Sequence, residues 1–149
     1  MPYQIIFYEK SNGKSDVWDF LEQLRHKSMK SKDARIQYKQ VLLSIELLQQ
    51  NGNVLPDTIA KHITEDIWEL RPGHNRIFYF CCDGSNYILL HHFRKRSQKT
   101  PYREIEKAKA ERKDYLSRKE SAKHHENMEQ LYRTCKSNGT RKPAAHYLY

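Results

Sequence analysis

The sequence is poor in the residues that build covalent or metal frameworks. Its three cysteines fall as an adjacent pair, Cys81 and Cys82, and a distant Cys135. None has the C-x-x-C spacing of a thiolate zinc or redox site, and three scattered thiols make no disulfide scaffold. Long apolar runs are missing too: no stretch approaches the roughly 18 residues that cross a bilayer. The opening MPYQIIFYEK has neither the basic start nor the apolar h-region of a secretion signal. These absences point to a reduced, cytoplasmic chain with no metal, no cofactor and no membrane partner. Acidic residues are in the minority, 18 Asp and Glu against 27 Lys and Arg, giving a formal net charge of +9. That excess calls for an acidic partner such as nucleic acid.

What is present falls into periodic segments within 149 residues, the length of one ordinary domain with a tail. YQIIFYE, from Tyr3, is short, aromatic and β-branched, a first strand that SNGK breaks. Val17, Phe20, Leu21 and Leu24 then form one helical stripe, with Ser15 or Asp16 as cap. A second, longer helix starts near Asp33, carries Ala34, Tyr38, Val41, Leu42, Ile45 and Leu48, and stops at Asn51-Gly52. DIWELR, RIFYFCC and YILLHHF, separated by PGHN and DGSN, predict a meander of three antiparallel strands over residues 66–93, with Asp83-Gly84 as a hairpin turn. Thr100 is placed to cap a last helix and Pro101 to open it, with Ile105, Ala108 and Leu116 on its narrow apolar stripe.

The predicted fold is therefore α+β, in the order β-α-α-β-β-β-α. A small antiparallel sheet carries the N-terminal helix pair on one face, and the C-terminal helix follows the last strand. Residues 1–120 form the domain. Residues 121–149 read as an appended basic tail, expected to be mobile, with at most a short helix over residues 126–133.

Charge is concentrated late in the chain. From His91 to Lys119 there are eleven Lys or Arg and four Asp or Glu, so seven of the nine excess charges fall in one fifth of the length. The later half of this stretch reads as a solvated helix. Arg94, Lys95, Arg96 and Lys99 do not alternate with acids, and they follow an otherwise apolar strand, where rigid scaffolds place functional groups. Arg76 opens the strand RIFYF. The Asp83-Gly84 turn sets it opposite Phe93, which predicts Arg76 and Arg94 as neighbours in one basic pocket. An ion pair from Arg76 to Glu69 or Asp66 is the alternative.

IWELRPGHNRIFYF, YILLHHFRKRSQKTPYREIEKAKAE and the preceding helix pair together resemble the phage-derived, HigB-like branch of the RelE/ParE toxin superfamily, over about the first 120 residues. The resemblance implies the toxin of a type II toxin–antitoxin system. Such a toxin is a metal-independent endoribonuclease (mRNA interferase) that enters the ribosomal A site and cuts mRNA. It implies a helix-turn-helix antitoxin as partner, and a toxin that is monomeric alone. By the same resemblance Arg76 is the transition-state clamp, and Lys95, Arg96 and Lys99 hold the phosphates on either side of the cut. Tyr102 stands where relatives use a tyrosine, and either acts in catalysis or else stacks on a base or packs against the sheet. Apart from the resemblance, Arg71 contacts RNA or pairs with an acid, and Arg94 and Arg103 are further candidate RNA contacts. The sequence departs from better-known RelE proteins in having Ile67, Trp68 and Glu69 where those carry lysines, so their base has no counterpart. His92, which alternation groups with Arg94, is the preferred substitute over His91, or else both fill space in the sheet. The competing reading is a binding protein of the same fold, either a gyrase poison or a degenerate copy that holds RNA or antitoxin without cutting.

Overall fold

The computed structural model describes residues 2–137, so the last part of the expected tail, from residue 138, lies outside the described residues. A first compact unit comprises Met1–Arg112, and the second begins at Lys113. The chain forms β1 (Gln4–Phe7), α1 (Asp16–Lys27), α2 (Lys32–Asn51), β2 (Ala60–Thr64), β3 (Ile67–Leu70), β4 (Asn75–Cys82), β5 (Asn86–Arg94) and α3 (Tyr102–Ser137). The architecture is α+β, as the periodicities predict.

Both N-terminal helices start on serine caps. Ser15 Oγ accepts the Trp18 N–H at 3.2 Å and Ser31 Oγ accepts that of Ala34 at 3.1 Å, each satisfying one of the amides a helix start leaves unpaired. The sheet has five strands in the order β1-β5-β4-β3-β2. It is mixed rather than antiparallel, because β1 pairs with β5 in parallel, Gln4 against Asn86 through Phe7 against Leu89. The helix pair carries the chain from one sheet edge to the other. The meander then returns and brings its last strand beside the first.

Strand β2 is absent from the sequence reading. AKHIT has no apolar alternation and lies at the sheet edge, joined to β3 by a tight turn in which Glu65 takes φ +49°. On one face of the sheet, Val17, Phe20, Leu24, Val41 and Leu48 from the helix pair pack on Leu70, Ile77, Tyr79, Tyr87 and Leu89. The start of α3 is held to the other face. There His91, 0% exposed, sets Nδ1 2.5 Å from Glu111 and Nε2 3.0 Å from Glu104. Arg112 also pairs with Asp66 at 2.7 Å.

Thr100 does not cap this helix. The Pro101 carbonyl accepts the N–H groups of Glu104 and Ile105, while the Thr100 hydroxyl turns to Glu69. Within the second unit α3 continues past residue 120 without a break to Ser137.

A bulge fixes which side chains face where. Ile77 pairs with His92 but Tyr79 pairs with Leu89, so Leu90 and His91 together oppose Phe78. The extra residue shifts the pleat, sending His91 under α3 and His92 to the helix-pair face.

Gly52 ends α2 at φ +61°, ψ −144°, and a Cβ there would stand 2.8 Å from the Tyr87 hydroxyl and 2.9 Å from the Tyr3 ring. Gly52→Ala is expected to lower the unfolding free energy by about 2 kcal/mol, from backbone strain and the clash together. A urea titration followed by circular dichroism measures it, and an unchanged midpoint contradicts it.

Candidate functional site

Where β4 begins and β5 ends, the strand termini and the flanking turn form a cleft of about 750 Å³ lined by Arg71, His74, Arg76, Lys95 and Arg96, with Lys61 on one wall. They come from β2, the link between β3 and β4, the start of β4 and the segment after β5. Arg76 pairs directly with Phe93, and residues paired directly across a ladder share a face. Arg76 therefore lies on the α3 side of the sheet. Lys61 pairs with Glu69 on β3 and so joins the same side. The PGHN turn is fastened to the end of β5 by the Lys95 N–H donating to the His74 carbonyl at 2.9 Å, which brings His74 and Lys95 together.

Beneath these cations lies Glu69, 1% exposed. Its Oε1 is 3.1 Å from Arg76 Nε and 3.4 Å from Arg71 Nε. The angles are poor for hydrogen bonding, so these three atoms are paired by charge alone. Glu69 Oε2 accepts the Thr100 hydroxyl at 3.1 Å. Arg76 is fixed further by NH1, which donates to the carbonyls of Gly73 at 2.7 Å and Asn75 at 2.9 Å. Burial lowers the pKa of the Arg76 guanidinium, Glu69 opposes that shift and Arg71 adds to it. Desolvation likewise draws the Lys95 ammonium below the usual lysine range. Glu69 opposes this too, while Arg76, Arg71 and Lys61 reinforce it. A cleft walled by cations over one buried carboxylate can bind phosphate.

Of the residues singled out in the sequence, Arg71, Arg76, Lys95 and Arg96 meet in this cleft. His92 and Arg94 do not. They line a separate cleft on the helix-pair face, because Arg94 pairs with Asn75 and so points to the opposite side from Arg76. The expected neighbours Arg76 and Arg94 thus lie on opposite faces, and Arg76 shares its cleft with Lys95 and Arg96 instead. Lys99 and Arg103 are exposed on the following loop and first helical turn. Tyr102 is 73% exposed, and its hydroxyl donates to Glu106 at 2.6 Å, which raises its pKa. The alternative reading of Arg76, an ion pair to Glu69, is what the structure holds, alongside its place in the basic cleft. Sequence reasoning missed Lys61 and His74.

A helix pair, then the sheet, then a C-terminal helix is an order consistent with a RelE-like fold. A family model for phage-derived Gp49-like proteins (DUF891) matches residues 21–113, and the chain belongs to that family, which is RelE-like and toxin-like. No curated protein matches the sequence. Among the described residues no helix is long and apolar enough to cross a membrane.

Replacing Glu69 removes the one anion under several cations. Glu69→Leu is expected to cost about 3 kcal/mol of stability, the scale for breaking a buried ion pair. Denaturant unfolding is the check, and wild-type stability in this variant would contradict it.

Proposed function

We propose that this chain is the toxin of a type II toxin–antitoxin pair of the HigB-like kind. It cuts mRNA in the ribosomal A site and is held in check by a helix-turn-helix antitoxin. The observation that supports this most strongly is the convergence of Arg71, Arg76, Lys95 and Arg96 on one cleft. Cleavage of RNA through its own 2′-hydroxyl needs such a cleft. The 2′-oxygen attacks the adjacent phosphorus as the bond from phosphorus to the 5′-oxygen breaks, leaving a cyclic phosphate and a 5′-hydroxyl. One group takes the 2′-proton, another protonates the leaving oxygen, and cations stabilise the extra negative charge between.

Arg76, fixed by two carbonyls and Glu69, is the transition-state clamp. Arg71 and Arg96 hold the flanking phosphates, and Lys99 and Arg103 extend contact along the strand. Lys95, its ammonium made more acidic by its surroundings, gives the proton to the 5′-oxygen. His74, on the same wall, takes the role of base for which His92 lies on the wrong face; an imidazole transfers protons readily near neutral pH. Tyr102 stands outside the cleft and stacks on RNA rather than moving protons.

The wild-type protein is expected to cut mRNA at codon-linked positions on translating ribosomes. Arg76→Ala should slow this by about 10²- to 10³-fold, the scale of losing one oriented charge donor, with an unchanged circular dichroism spectrum. Lys95→Arg keeps the charge but cannot easily release a proton. Cleavage should fall by about 10²-fold, while the salt dependence of RNA binding stays near −0.7 per phosphate contact. Equal cutting of naked RNA, or inhibition of gyrase supercoiling in its place, would overturn the proposal.

A further inference from the structure

The cleft on the helix-pair face, about 430 Å³, is not used by the ribonuclease reading. Its floor is apolar, formed by Phe20, Leu24 and Ala34. One wall is the His92 imidazole, which lies flat on Phe20 with ring centroids 3.9 Å apart and 9° between planes. Asp16 Oδ1 accepts the His92 backbone N–H at 2.8 Å and lies 2.6 Å from ring Nδ1. Burial pushes the Asp16 carboxyl up, but the hydrogen bonds and charge from His92 prevail and hold it below its usual range. Asp16 is therefore an acceptor and Nδ1 carries the hydrogen. The Nε2 edge, which meets no partner among the described residues, is left for the cleft.

The facing wall is equally preset. Gln37 donates to Asp33 at 2.7 Å, and its oxygen accepts Asn75 Nδ2 at 3.0 Å and Arg94 NH1 at 3.4 Å. Arg94 is exposed and makes this one contact among the described residues, so its remaining donors are available.

Two features favour a heterocycle over a phosphate here. Asp33 stands against Lys27 and Arg94 in this lining, whereas the cleft across the sheet is lined by five Lys or Arg and no acid, so the excess of positive charge is smaller here. An apolar floor, a flat ring and a rim of donors and acceptors match an unpaired base, whose faces are apolar and whose edges are polar. The ladder then connects the two sites. Asn75 and Arg94 form a directly paired couple facing this cleft, and the next residues, Arg76 and Lys95, face the cationic one. A strand crossing this end of the hairpin can leave phosphates on one side and a base on the other.

We infer that the cleft between α1, α2 and β5 binds an unpaired nucleobase of the RNA, away from the scissile step. His92 Nε2 accepts an exocyclic amine there and Arg94 closes the rim. That the base comes from the cleaved RNA rests on the ribonuclease reading; the affinity of the cleft for a base does not.

Ring resonances of His92 in the full chain, followed by NMR, test this with AMP, CMP, UMP and inorganic phosphate as probes. AMP and CMP should shift them, UMP should bind more weakly because it lacks the amine, and phosphate alone should leave them unmoved. Arg94→Ala should weaken AMP binding about tenfold, the scale of one charge-assisted hydrogen bond, and its surface position leaves the fold intact. A silent His92 with every nucleotide, or an equal response to phosphate, overturns the inference. Silence together with cutting of mRNA sinks the base site alone, whereas a nucleotide response without cutting on translating ribosomes sinks the ribonuclease reading alone.

Discussion

The site depends on one buried carboxylate. A chain with a net charge of +9 has no electrostatic reason to gather more cations at one end of a sheet. Two unit charges about 5 Å apart repel by roughly 3 kcal/mol at an effective dielectric near 20. Glu69 reverses that balance for Arg71 and Arg76, and they in turn make its own burial tolerable. The arrangement is mutual: remove the acid and the cations separate, remove the cations and the acid is stranded. Through Thr100 the same carboxylate also fastens the loop that leads from β5 into α3.

A sheet with helices on both sides has two surfaces, and this chain uses the alternation of its strands to give them different chemistry. Asn75 and Arg94 look one way and their next residues, Arg76 in β4 and Lys95 just past the end of β5, look the other. The bulge at Leu90 and His91 makes this possible. It inverts the pleat in time to bury His91 between Glu104 and Glu111 and to set His92 on Phe20. Without the extra residue the two histidines would exchange faces, and α3 would lose its polar anchor on β5.

Much of the fold was legible in the sequence because the relevant signals are local. The stripe Val17, Phe20, Leu21, Leu24, the Ser15 cap before it and the Asp83-Gly84 turn each act within a few residues, and the pairing of Arg76 with Phe93 follows from that turn. What escaped reading depends on distant partners. Strand β2 exists because β3 offers it an edge, not because AKHIT favours a strand. The face on which Arg94 falls requires knowing that directly paired residues share a side, and Arg76 pairs with Phe93. Helix α3 outlasts its apolar stripe because strong helix formers and i,i+4 pairs such as Glu129 with Arg133 suffice to continue it. The cationic cleft itself was half visible. The basic run after β5 and Arg76 were plain, whereas Lys61 and His74 enter only through tertiary pairing.

The most direct test of the central claim, that Glu69 organises these cations into a phosphate-binding cleft, is a crystal structure with a nucleoside–vanadate mimic of the cleavage transition state. The account expects vanadium density between Arg76 and Lys95, with the Arg76 guanidinium on its equatorial oxygens and Glu69 still beneath. Vanadate bound elsewhere on the molecule, with the Arg76 guanidinium not in contact with it, would contradict the account.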